Sequence, residues 1–100
     1  MTKVADITFQ NNTFTLTGEL DYSNVMSVYH KSLRDLKNLK KDVNYLFDFS
    51  QVKDSNSAAV ALIIEWIRHA KQHNNQISFK ALSENLISIV KAAGLDHIIS

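Results

Sequence analysis

The chain has 100 residues, 45% of them hydrophobic and 21% charged, which is the balance of one ordinary globular domain over residues 1–100 and not of a disordered tail or linker. Its 11 Lys and Arg against 10 Asp and Glu leave a formal net charge of +1, too small an imbalance for a general pull toward nucleic acid or an anionic membrane. With no cysteine and no proline, and glycine only at Gly18 and Gly94, it offers no disulfide, thiolate nucleophile, Cys-type zinc site or glycine-rich phosphate loop.

The opening MTKVADITFQ has no apolar run of the kind a signal peptide needs. The longest apolar stretch, Ala58 to Ile64, falls far short of the roughly 20 residues of a membrane span. Both point to a cytoplasmic protein that meets a membrane only through a partner. Ile7 and Phe9, then Phe14 and Leu16, alternate with threonines on either side of Gln10-Asn11-Asn12, which predicts a β-hairpin turning on asparagines that tolerate positive φ. From Ser23 the apolar spacing changes to three and four (Val25, Val28, Tyr29, Ser32, Leu33, Leu36, Leu39), a helix whose start Asp21 or Ser23 can cap.

Val43 to Phe49 is β-rich and mostly apolar, as in a central strand covered on both faces, and a polar loop is expected from Ser50 to Asn56. A second helix is predicted from Ser57 to about His73, closed by Asn74-Asn75; then comes a short strand from Gln76 to Ala81. Ser83 caps a third helix that Gly94 stops. The order β-β-α-β-α-β-α implies right-handed crossovers and a mixed α/β sheet of four or five strands with helices packed against it.

This order, at this length, resembles the STAS domain, named for sulfate transporters and anti-sigma factor antagonists. Thr17-Gly18-Glu19-Leu20-Asp21 is similar to the family's run into the first helix, and Asp48-Phe49-Ser50 with Val52 to its Asp-Leu-Ser-x-Val. Where the family places Asp-Ser/Thr-Ser/Gly-Gly at the start of the second helix, this chain has Asn56-Ser57-Ala58-Ala59. That run, continuing Val60-Ala61-Leu62-Ile63, with Ala70-Lys71 and Asn74-Asn75 near the helix end, looks most like the small cytoplasmic STAS subunit of the Mla phospholipid-transport system of Gram-negative bacteria.

The resemblance implies a non-catalytic accessory subunit on the cytoplasmic ATPase of an ABC transporter that moves phospholipids between inner and outer membranes, peripheral to the inner membrane and without a cofactor. The alternative it implies is a partner-switching regulator of the anti-sigma factor antagonist kind. In those antagonists the second hydroxyl of the motif is phosphorylated; here that position is Ala58, and a register begun at Asp54 would put Asn56 there. Neither side chain has a hydroxyl to take a phosphate.

The residues expected to meet a partner are Asp54, Ser55, Asn56 and Ser57 at the start of the second helix, and Ala58, Ala61, Leu62, Glu65, Arg68 and His69 along an outer face of it. Ala59, Val60, Ile63, Trp66, Ile67 and Ala70 form the stripe expected to face the core. A helix N-terminus favours a partner's carboxylate or phosphate, although Ser57 or Asn56 also serves simply as a cap. Asp48 is expected at the carboxyl end of the third strand, supporting the motif. Glu65, His69 and His73 share a helix side at metal-chelating spacing, but a solvated face accounts for them better than a metal site.

Lys31, Arg34, Lys37, Lys40 and Lys41 make the end of the first helix basic, and complementing its dipole is sufficient reason for them. Contact with acidic headgroups is the weaker reading, and nucleic-acid binding lacks interleaved aromatics. No Ser sits in a Gly-x-Ser-x-Gly elbow and no His lies near Ser57 in sequence, so catalysis is not expected.

Overall fold

The structure, a computed structural model, describes residues 4–54 and 56–94. The chain runs β1 (Ala5–Gln10), β2 (Thr13–Glu19), α1 (Val25–Leu36), β3 (Asn44–Asp54), α2 (Ser57–His73), β4 (Gln76–Lys80) and α3 (Glu84–Ala92). One sheet of four strands is ordered β1-β2-β3-β4; β1 is antiparallel to β2, and β2, β3 and β4 are parallel. The hairpin forms as expected: Asn11 (φ 53°) and Asn12 (φ 60°) take the left-handed conformations that a tight two-residue turn requires.

The core lies between one face of the sheet and the helices. Phe14 and Leu16 of β2 and Tyr45, Phe47 and Phe49 of β3 are buried there against Leu20, Ile63, Trp66, Leu86 and Val90. The Phe47 ring lies 4.6 Å from Phe14, 4.3 Å from Trp66 and 5.5 Å from Phe79, tying three strands to α2. The Trp66 indole N–H donates to Ser32 Oγ over 3.0 Å, and that hydroxyl donates to the Tyr29 carbonyl over 2.6 Å. This buried relay fixes α2 against α1, since an unpaired indole N–H there would cost about 1–3 kcal/mol.

Three expectations change. Among the described residues β3 is covered on one face only: Asn44 is exposed and Leu46 and Asp48 half-buried, because α1, α2 and α3 pack on the Tyr45–Phe47–Phe49 side. It also runs on to Asp54, taking in most of the expected loop, because pairing with β2 continues past a bulge. Thirdly, α1 ends at Leu36 and starts from Asn24; neither Asp21 nor Ser23 is its N-cap. Asp21 instead closes the preceding turn, its carboxylate accepting from the Ser23 N–H and hydroxyl, while Asn24 Oδ1 accepts from the Asp21 N–H.

Candidate functional site

α2 begins where β3 ends, so its first turn stands at the carboxyl end of the parallel strands, the edge where α/β sheets usually present functional groups. Asn56 is the N-cap, extended in backbone, with Oδ1 accepting from the Ala58 N–H over 2.9 Å. Asn56 therefore takes the capping role, which leaves the exposed Ser57 hydroxyl facing outward. Its partner is Tyr22, whose Oη lies 2.6 Å from Ser57 Oγ and links the β2–α1 turn to α2.

Tyr22 is 70% exposed, and the other large hydrophobics that stand out from the described surface, Met26 at 56% and Val4 at 76%, belong to the same end. Met26 lies on the first turn of α1, four residues after Tyr22. Val4 accepts from the Glu19 N–H over 2.9 Å and sits beside Gly18, whose φ of +92° and closeness to Val4 O leave no room for a Cβ. Sequence reasoning missed these residues. The signal was present in Tyr22 and Met26, two large apolar side chains that fall outside the stripe of α1 given above.

The expected outer face of α2 is only partly outward. Ser57, Ala61 and Arg68 are exposed, and Glu65 and His69 half-buried, with Glu65 Oε1 3.3 Å from Arg68 Nη1. Ala58 and Leu62 belong to the core, at 0% and 3% exposure. The correction has a physical cause: α2 packs against α1, α3 and β4, which buries a wider arc than a stripe facing a single layer. Ile67, expected to face the core, is only half-buried. Asp54 closes β3 in register with Glu19; Ser55 lies outside the described residues.

Asp48 does not join this site. It pairs in register with Thr15 and Lys80 in the middle of β3, on the uncovered sheet face. Its carboxylate accepts from the Ser50 N–H over 2.8 Å, at the register shift between Thr15 and Thr17. That hydrogen bond and the Ser50 hydroxyl hold its pKa below the usual value. The Asp-Phe-Ser segment thus shapes a β-bulge and contributes no side chain to the Ser57 end.

Farther along α2 the His69 and His73 rings stack 4.1 Å apart, and His73 Nδ1 donates to the His69 carbonyl over 2.9 Å. Burial first, and the neighbouring His73 second, lower the His69 pKa. No group of three or more His, Cys, Asp or Glu among the described residues has a metal-binding arrangement. At the Ser57 end, a cavity walled by Phe49, Val52 and Leu86 with Lys53 and Ser83 measures about 160 Å³, below the roughly 300 Å³ of the smaller ligand pockets.

The profile of a family described as "Mlab, STAS domain" matches residues 4–100. The chain belongs to the STAS family. Among solved structures, that of the anti-sigma factor antagonist SpoIIAA in its unphosphorylated form superposes with a TM-score of 0.73 at 15% sequence identity, covering 97% of this chain and 86% of that one. The STAS fold expected from the sequence is the fold found. No curated protein sequence gives a significant match. No helix among the described residues is long and apolar enough to cross a membrane.

Proposed function

We propose that this STAS domain is a non-catalytic accessory subunit that docks, through the Ser57 end, on the cytoplasmic ATPase of an ABC transporter moving phospholipids between the inner and outer membranes. The observation that carries the docking surface is the Ser57–Tyr22 pair at the capped start of α2, with Met26, Val4 and Ala61 exposed at the same end. Asp54 and Asn56 flank it, and Glu65, Arg68 and His69 extend it along α2; Ser55, the remaining residue of the expected contact, falls between them in sequence. The transporter reading draws on the resemblance of Asn56-Ser57-Ala58-Ala59-Val60-Ala61-Leu62-Ile63 to the Mla subunit, and the family profile carries the description Mlab. Small Ala61 lets a partner backbone come close, and Ser57 supplies a hydrogen bond at the centre of the contact. Its place on the membrane is peripheral, through the ATPase.

The rival reading, a regulator like the anti-sigma factor antagonists, draws on the fold shared with SpoIIAA. Against its phosphorylation switch, the second hydroxyl position of the motif is Ala58, apolar and fully buried. Mild affinity purification from the native host, with wild type and Ser57→Arg in parallel, tests both. An ABC-type ATPase recovered with wild type and lost with the variant, at unchanged melting temperature, is the expected result. Recovery of a kinase-like anti-sigma factor instead would replace the transporter reading, and an ATPase bound equally by both proteins would remove the Ser57 interface.

A further inference from the structure

The net charge of +1 conceals a division along the sheet. Each of α1 and α2 returns the chain from the carboxyl end of one parallel strand to the amino end of the next, so both helices finish where β3 and β4 begin. That end gathers Arg34 from the last turn of α1, Lys37, Lys40 and Lys41 from the loop after it, and Lys71 from the last turn of α2, against Asp35 and Asp42. These cations are all exposed, and none forms an ion pair with another described residue. The opposite end has the reverse balance, Glu19, Asp21, Asp54 and Glu84 against Lys53 and Lys80. A helix dipole acts within the last turn, so it gives no reason for Lys40 and Lys41, which lie beyond it.

A second observation selects the kind of anion. A cavity of about 350 Å³ opens at the same end, with Phe9, Leu39, Val43 and Tyr45 as its apolar wall and Asn12, Asp35, Asn38 and Lys40 as its polar one. The loop over it is held by the Lys40 N–H donating to Tyr45 Oη over 2.8 Å. Nucleic acid would want exposed aromatic faces on which bases stack, but Tyr45 is buried and Phe9 half-buried in the cavity wall. A ligand with an anionic head and an apolar chain satisfies both features.

We propose that this end docks on the anionic surface of a lipid bilayer, with Arg34, Lys37, Lys40, Lys41 and Lys71 against the headgroups and the cavity between Phe9, Leu39, Val43 and Tyr45 receiving the apolar part of a lipid. It lies across the sheet from Ser57, so one domain can touch a membrane and a protein at once. The inference stands whichever protein the Ser57 end engages.

Flotation of the purified chain with vesicles of phosphatidylcholine, alone or mixed with phosphatidylglycerol, tests it. The expected result is binding to the phosphatidylglycerol vesicles only, weakening as salt rises past about 0.1 M. The combined Lys37→Glu, Lys40→Glu and Lys41→Glu variant should lose about tenfold or more in affinity. Lys53→Glu with Lys80→Glu, and separately Ser57→Arg, should bind as wild type does. If the triple reversal melts early, the Lys→Gln set at the same positions gives the same readout with less strain on the fold. No binding to anionic vesicles at low salt would overturn the proposal, as would equal loss from the variants at the opposite end. Displacement from the vesicles by inorganic phosphate or a short single-stranded oligonucleotide would overturn it too, by showing a face for any polyanion.

Discussion

At the carboxyl ends of the parallel strands the chain exposes Val4, Tyr22 and Met26 along with the Ser57 hydroxyl; at their amino ends it exposes Arg34, Lys37, Lys40, Lys41 and Lys71 along with a half-apolar cavity. The same strands and helices build both ends. Helix direction explains part of the contrast, because N-termini favour acceptors such as the Asn56 cap and C-termini favour cations. It does not require large apolar side chains in water at one end or lysines beyond the last helical turn at the other. Those excesses over what the fold needs are where partners are to be sought.

The comparison depends on α1 and α2 being held in fixed relation, and the buried hydrogen bond from Trp66 to Ser32 ties the two. Trp66→Ala should destabilise the domain by about 3–5 kcal/mol in chemical denaturation, because it empties the space beside Phe47 and leaves Ser32 without its donor. A loss under about 1 kcal/mol would show that the two helices are tied elsewhere. Next in size, Gly18→Ala should cost about 2–4 kcal/mol: its φ is +92° and a Cβ there would meet Val4 O at 2.2 Å. The damage should fall on the Ser57 end, with partner binding lost before vesicle binding.

Asn56→Ala removes the cap of α2 and should lower stability by about 1 kcal/mol in thermal melts. An unchanged melt would show that Ser57 takes over the cap, which would draw its hydroxyl away from Tyr22. The smallest effect concerns the stacked histidines. His69 has its pKa lowered in the folded chain from 6.5, so the unfolded chain takes up the proton first. The stability that neutral His69 contributes is present above that value and is lost as the pH falls from it toward the folded pKa. His69→Gln should flatten stability against pH just below 6.5, modestly because the ring is only part-buried; an unaltered slope would assign the titration to another group.

Much of the fold could be read from the chain because local rules agreed with the tertiary answer. Asn11-Asn12 had the residues for a positive-φ turn, Asn74 for a left-handed helix end and Ser83 for a cap, and each does that work. The β-β-α-β-α-β-α order left a mixed sheet as the economical arrangement. The position of Ser57 at an exposed helix start was legible for the same reason. Ala58 and Leu62 were misplaced because helical spacing gives the direction of a side chain but not how many neighbours enclose the helix. Asp48 was misplaced because a bulge, which depends on pairing between strands distant in sequence, lets β3 run on past it.

The sequence by itself determined the elements, their order and their caps, since these rest on interactions within a few residues of one another. Only the tertiary structure decided which side chains share a surface. It brought Tyr22 to Ser57 across 35 positions of chain. It also collected at one end lysines from α1 and α2 that a net charge of +1 averages away. Contacts of that kind depend on how layers pack and which way each helix returns, and no local spacing encodes that.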